Sequence, residues 1–264
     1  MNDSYYNTQL AAHQKSMDCC CQIIRLWEPD DNRQDIYAKA LDSGLFSTLT
    51  ARSLKNVIVE IFAPRFLDEE AKPWTMIIKR YQDVWPRGLI AQMNLLQTAR
   101  AHFLVRDFLE QEFWPRVEAA HTAIPSAAVQ EFIRRGIAEG KTKRPWNENT
   151  IRRQASYLTT VCVDIELLEI AKRGEAAIRN FRLDWRLFLL MVCHFHEKGL
   201  SNGTILEHRD WKIFGYRPED VANQFNTAEL RPFFIIQTAG NAIEITWKLN
   251  TLQEAADAIT QTGI

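Results

Sequence analysis

The amino-acid sequence predicts a mainly α-helical protein with small β-hairpins. Good helix formers such as Leu, Ala, Arg and Glu are plentiful among the 264 residues, whereas there are only 10 Gly and 9 Pro. This balance favours helices over a sandwich or a barrel. Apolar residues recur at helical spacing along most of the chain, and two pairs of short β-rich runs flank turn residues. We therefore expect a helical domain at residues 1–122 and a winged-helix-like region with two β-hairpins at 123–264.

Composition and charge limit the class of protein. The net charge of −1 excludes a wholly basic nucleic-acid binder but allows a local basic patch. Five cysteines, including the run Cys19–Cys21, form a poor disulfide framework and fit a reducing cytoplasm. Residues 1–16 lack the basic-then-apolar order of a signal peptide. The apolar run Leu187–Phe195 is far shorter than the roughly 18 to 20 residues of a membrane helix. The sequence thus predicts a cytoplasmic protein without a membrane span.

The first half of the chain is predicted to be helical. Helices are expected at residues 9–28 and 33–44, where Gly44 breaks the second, and again at 47–67, after Ser and Thr capping candidates. Helix, short turn and helix is the outline of a helix-turn-helix, although a plain helical hairpin has the same outline. The second helix of this hairpin carries Arg52 and Lys55, which are candidates for a second contact with DNA.

Further helices follow the helical hairpin. One is bounded by Pro73 and Pro86, and two more are expected between 87 and 118, with a break near 99–105. Near the C-terminus, helices are expected at 184–199, after Pro218 and at 251–260. The run 233–249 contains two β-rich segments joined by Ala-Gly-Asn, which is a hairpin signal.

The middle of the chain shows the order of a winged helix. Ser126 is a candidate N-cap for one helix, which Gly136 and Gly140 end. Asn147 or Asn149 can cap the next helix, whose apolar stripe comprises Ile151, Ala155, Leu158 and Cys162. The run 167–183 then predicts a hairpin with its tip near Arg173 and Gly174. In a winged helix, the second helix enters the major groove and the hairpin flanks it.

Basic residues cluster where this second helix begins. A helix N-terminus already presents unpaired amides and a partial positive charge to a phosphate, and arginines beside it would add guanidinium groups. Asn149 or Gln154 could also read adenine. The predicted DNA-binding residues lie in the preceding loop, in the first turn of the helix and on the wing: Lys141, Lys143, Arg144, Asn149, Arg152, Arg153, Lys172, Arg173 and Arg179. The alternative is a solvated basic face, because cations often decorate exposed loops.

Motifs for metal binding or catalysis are missing from the sequence. Cys193 and His196 share a helix face, and His194 is adjacent, but no second ligand pair is spaced to complete a tetrahedral site. No phosphate-cradling loop, nucleophile elbow or His-Glu-x-x-His motif occurs. We therefore expect no cofactor and no enzymatic activity. A metal-dependent nuclease that uses scattered carboxylates stays open as an alternative.

The order of these features resembles the BrxA family of BREX bacteriophage-resistance systems. The resemblance is carried by "VQEFIRRG" (129–136), by "WNENTIRRQASYLTTVCVDIELLE" (146–169) and by residues 39–66, 93–114 and 211–249, so it covers most of the chain from about residue 35. It implies a double-stranded DNA-binding component that is neither nuclease nor methyltransferase and that works with other BREX proteins. Related proteins carry an inner-membrane label, which the absence of a spanning segment opposes.

The residues, taken together with this resemblance, indicate two possible functions. The first is a non-enzymatic, DNA-binding component of a phage-defence system, with modest affinity and weak sequence preference because the whole chain is nearly neutral. The second is an assembly subunit of the same defence complex that uses its winged helix as a docking surface, since winged helices serve both purposes.

Overall fold

The protein is mainly α-helical and contains two small antiparallel sheets, which confirms the predicted fold class. The computed structural model describes residues 5–9, 16–170, 174–239 and 242–262. The chain divides into two compact units, Met1–Phe181 and Arg182–Ile264. The boundary predicted between residues 122 and 123 falls within the first unit, at the start of a short strand.

Ten helices and three strands are described in the first unit. The helices are α1 Ser16–Leu26, α2 Arg33–Asp42, α3 Ala51–Asn56, α4 Ala63–Phe66, α5 Lys72–Tyr81, α6 Arg87–Ala101, α7 Phe103–Phe108, α8 Trp114–Glu118, α9 Ser126–Ala138 and α10 Glu148–Asp164. The strands are β1 Ala123–Pro125, β2 Leu168–Ile170 and β3 Glu175–Ile178. The break that was expected near 99–105 is the extended residue His102 between α6 and α7.

Helices α2 and α3 form the predicted helical hairpin, and each begins at a capping side chain. Asn32 caps α2 and forms a capping box with Asp35, while Thr50 caps α3 by accepting a hydrogen bond from the Ser53 amide. Gly44 lies between them with a φ of 67°, a left-handed conformation that favours glycine. At each helix entrance a local side chain therefore accepts a hydrogen bond from at least one of the unpaired first amides.

Two wide, π-helical turns interrupt the helices of the first unit. They span Val57–Phe62 and Leu109–Phe113. The first is followed by Ala63 and Pro64, and the second by Trp114 and Pro115. The proline ring has no amide hydrogen and crowds the preceding turn of an α-helix. A π-turn loosens that turn, so that the residue before each proline bonds a carbonyl five residues back.

The three-stranded sheet joins the ends of the α9–α10 region. Its order is β1-β3-β2, with Ile124 opposite Ala176 and Glu169 opposite Ala177. Strands β2 and β3 confirm the predicted hairpin strands. The tip was predicted near Arg173 and Gly174, and residues 171–173 lie outside the described part of the chain. Sequence reasoning missed β1, because three residues are too few to show an alternating pattern.

The second unit packs six further elements and a short 3-10 helix around an aromatic core. They are α11 Trp185–Glu197, α12 Asn202–Leu206, the 3-10 helix Arg209–Phe214, α13 Pro218–Gln224, the strands β4 Phe234–Ala239 and β5 Ala242–Trp247, and α14 Leu252–Gln261. Phe188 stacks on Trp211 at 5.0 Å and meets Phe225 edge to face. The predicted apolar run at 187–195 is thus the buried part of α11. Within the described residues, no helix is long and apolar enough to cross a bilayer. Residues 240–241 lie outside the described part of the chain.

Candidate nucleic-acid interface

Helices α9 and α10 pack against each other and present a turn between them. Val129, Phe132 and Ile133 are buried on α9, and the predicted stripe that includes Ile151 and Leu158 is buried on α10. Gly136 lies inside α9 rather than at its end, whereas Gly140 takes the left-handed conformation with a φ of 77° and stops the helix. The opposite face of α10 is left to carry exposed polar side chains.

Asn147 caps α10, which decides between the two candidate caps. Its side-chain oxygen accepts a hydrogen bond from the Thr150 amide at 2.8 Å. Asn149 is then the second residue of the helix, and its side chain is exposed. Asn149 is therefore available to a ligand at the helix entrance.

Arg152 and Arg153 are exposed on α10, one turn further along than expected. With the helix beginning at Glu148, they are its fifth and sixth residues and lie beyond the unpaired first amides. The Arg153 guanidinium donates to the Tyr157 hydroxyl at 3.3 Å and lies 5.9 Å from that ring. This placement lowers the cost of basic residues near the positive helix end, because the dipole effect fades after the first turn.

Glu148, the acidic residue at the entrance of α10, forms an ion pair with a residue of α9. Arg134 binds Glu148 at 2.8 Å and also binds Glu131 at 3.2 Å. The hydrogen bond from Arg134 is the main cause of a lowered pKa of Glu148. Glu148 is consequently ionised at neutral pH, and its charge is offset by Arg134.

The basic loop contains two exposed cations and a third that is partly buried between two carboxylates. Lys143 and Arg144 are exposed, and the Lys143 ammonium lies 5.8 Å from the ring of Tyr5. The ammonium of Lys141 instead binds Asp107 at 2.9 Å and Glu139 at 2.8 Å. The predicted loop cations therefore differ in how easily they reach a ligand.

Gln154 is in the interior and cannot read a base. It is only 3% exposed, and its amide nitrogen lies 3.5 Å from the Thr8 carbonyl. The correction follows from helix geometry, since position 154 is three residues from Ile151 and four from Leu158 and so shares their buried face. Asn149 is the remaining candidate of the two for such a contact.

The wing and the helical hairpin hold the other predicted residues. Arg179 is exposed directly after β3, where its amide donates to the Leu167 carbonyl at 3.0 Å. Lys172 and Arg173 lie outside the described residues. Arg52 and Lys55 are both exposed on α3.

Two functional candidates were missed by sequence reasoning: Tyr6 and Asp107, both buried beside the basic loop. Tyr6 lies in a polar stretch without periodicity, and Asp107 lies in a predicted core helix. A lone carboxylate among aromatic residues was the available signal for Asp107, because a buried charge needs a partner.

The Cys-His cluster belongs to the core of α11. Cys193 and His194 are buried, and burial raises the pKa of the Cys193 thiol to about 12. His196 stacks on Trp247 with ring centroids 4.2 Å apart. In the part of the chain that the structure describes, no group of three or more His, Cys, Asp or Glu side chains could hold a metal ion.

Most of the chain matches a known protein family. The family model described as BrxA matches residues 4–194. The match starts earlier than the resemblance from about residue 35, so it includes Tyr6, and it ends inside α11, so it leaves out the stretch 211–249. No curated protein and no solved structure matches the chain.

Proposed function

Because the chain belongs to the BrxA family of BREX bacteriophage defence, we propose that it binds double-stranded DNA without cleaving or modifying it. The family assigns the phage-defence role, and DNA binding is the activity that the surface of α10 supports best. We also propose that the protein works in the cytoplasm, together with other BREX proteins. Its cysteines, all in the described part of the chain, are free thiols, as a reducing compartment requires.

The observation that carries this proposal is the exposed face of α10 and the turn before it. Five exposed polar side chains occupy this face: Lys143, Arg144, Asn149, Arg152 and Arg153. Glu148, the acid among them, is offset by Arg134. Such a surface can neutralise phosphates along a duplex, while Asn149 can reach a base edge.

The order of elements around α10 supports a winged-helix mode of binding. Two packed helices are followed by the β2–β3 hairpin, and β1 joins β3 to complete a three-stranded sheet. In a winged helix the second helix enters the major groove. Lys172, Arg173 and Arg179 of the hairpin would then contact the flanking backbone.

Duplex binding measured across salt concentrations tests the proposal. Arg152→Glu combined with Arg153→Glu should weaken binding by about tenfold or more, since two phosphate contacts become repulsive. Arg209→Glu combined with Lys212→Glu is the matched control, because both residues are exposed in the second unit and the change in net charge is the same. Equal loss in both double variants, or no loss in the first, contradicts the assigned surface. Metal-dependent cleavage of the probe would instead support a nuclease.

One observation favours the alternative of an assembly subunit. Ile170 exposes 76% of its surface on β2, which is an edge strand of its sheet. Exposed apolar residues on edge strands are typical sites of contact with another chain. If Ile170→Lys abolishes co-purification with other BREX proteins but leaves DNA binding intact, the hairpin is a protein-docking surface.

A further inference from the structure

The N-terminal segment 5–9 lies against the turn between α9 and α10. The amide of Tyr6 donates to the Lys141 carbonyl at 2.6 Å, and Tyr6 forms a parallel bridge with Thr142. On the other side, the Thr8 carbonyl faces the amide nitrogen of Gln154. The segment thus contacts both the basic turn and α10, which are distant from it in sequence.

The side chain of Tyr6 fills a site that is shaped to receive it. Tyr6 is 3% exposed, and its ring lies 5.5 Å from that of Phe103 and 6.2 Å from that of Phe132. A methyl group on Gly136 would overlap the Tyr6 ring. Glycine inside α9 costs helix stability, and here it makes room for an aromatic anchor.

Asp107 connects this anchor to the basic loop. The carboxylate is 4% exposed and accepts hydrogen bonds from the Tyr6 hydroxyl, from the side-chain amide of Gln111 and from Lys141 at 2.9 Å. Removing one partner of a buried ion pair leaves a charge without compensation, which strongly destabilises a protein. Lys141 therefore cannot turn toward a phosphate without leaving Asp107 short of a partner.

We propose that Tyr6, Asp107 and Lys141, the positioning cluster, hold the basic turn in its binding conformation. This inference rests on the proposed DNA binding. Lys141 is a positioning residue, and the phosphate contacts fall to the exposed cations Lys143 and Arg144 that follow it. The cluster ties the N-terminal segment and α7 to the turn, so these distant parts of the chain determine how the turn is presented to DNA.

Two variants separate a positioning lysine from a contacting one. Lys143→Met should lower the slope of log affinity against log salt by about one, as expected for a lost phosphate contact. Lys141→Met should weaken binding with an unchanged slope and should speed amide hydrogen exchange in residues 139–147 by about tenfold or more. If Lys141→Met lowers the slope as Lys143→Met does and leaves exchange unchanged, Lys141 is a phosphate contact and the positioning cluster is refuted.

Milder variants guard against a loss of folding in Lys141→Met. Tyr6→Phe removes only the hydroxyl, and Gly136→Ala displaces the ring without a change in charge. Both should speed exchange in residues 139–147 and weaken DNA binding at constant salt slope. Unchanged exchange in both variants overturns the inference. If the variants exchange faster but the wild-type protein binds no DNA, the cluster still holds the turn. In that case the proposed function is overturned.

Discussion

Arg134 and Glu148 link the two helices of the proposed DNA-binding surface through an ion pair of 2.8 Å. Arg134 belongs to α9, and Glu148 is the first residue of α10. Glu148 is also the only acidic residue between Lys141 and Leu158. The pair therefore offsets the one negative charge that would oppose a phosphate at the entrance of α10.

Removal of this carboxylate should strengthen DNA binding. In Glu148→Gln, Arg134 loses its partner across the turn and the surface gains positive charge, so we expect affinity to rise by about two- to fivefold at low salt. Titration of a fluorescent duplex measures the change. Glu131→Gln is the control, since it leaves the pair of Arg134 and Glu148 in place. Weaker binding by Glu148→Gln would show that the geometry of the pair matters more than its charge.

The N-cap of α10 should contribute measurably to stability. In Asn147→Ala the Thr150 amide loses its hydrogen bond of 2.8 Å, and we expect a loss of about 1 kcal/mol in the free energy of unfolding. Asn147→Asp keeps a capping oxygen and should remain close to wild type. Urea denaturation of the three proteins tests this order. Equal stability of the Ala and Asp variants would mean that the cap contributes nothing.

The helices could be predicted because most of them are amphipathic and have local start signals. Asn147 and the stripe that starts at Ile151 illustrate this. The cap bonds an amide three residues away, and the stripe repeats every three or four residues. The wide turns before Pro64 and Pro115 could not be predicted in the same way. Each changes the spacing of apolar residues by one position, and so small a change cannot be detected in a short periodic pattern. The strand β1 exists only through its pairing with β3, far along the chain.

The exposed cations of the site could be predicted, but their partners could not. Arg152 and Arg153 lie off the apolar stripe, so their exposure follows from helix geometry alone. In the sequence, Lys141 cannot be told apart from the exposed cations near it, yet its ammonium binds Asp107, 34 residues away. Tyr6 is 101 residues from the same carboxylate. Contacts of such separation depend on the packed fold, which no local pattern specifies.

The hairpin should add to DNA affinity without determining it alone. Lys172→Glu combined with Arg173→Glu is expected to weaken duplex binding by about three- to tenfold, because the wing would contact backbone phosphates at the edge of the site. Arg179→Glu should have a smaller effect, as a single charge. Footprinting should show the protected region shortened at one end. If the footprint is unchanged and Ile170→Lys abolishes co-purification with other BREX proteins, the hairpin is a docking surface instead.

The buried histidine His102 should make the stability of the protein depend on pH. Burial, followed by the nearby charge of Arg65, lowers the pKa of His102 below its usual value of 6.5, and the Arg65 guanidinium lies 3.4 Å from its ring. The folded protein keeps this ring neutral, whereas the unfolded chain binds a proton below about pH 6.5. Unfolding then takes up a proton, so stability is full above that pH and falls as the pH decreases toward the folded pKa.

Urea denaturation between pH 7.5 and 5 tests this dependence. The slope assigned to His102 is at most about 1.4 kcal/mol per pH unit, the limit for one proton. His102→Gln removes the titrating group and should flatten the curve in this range, although the variant itself is less stable at neutral pH because the site is closely packed. His121→Gln is the control, since His121 is exposed, and it should follow the wild-type curve. If His102→Gln retains the wild-type slope, other groups cause the acid sensitivity.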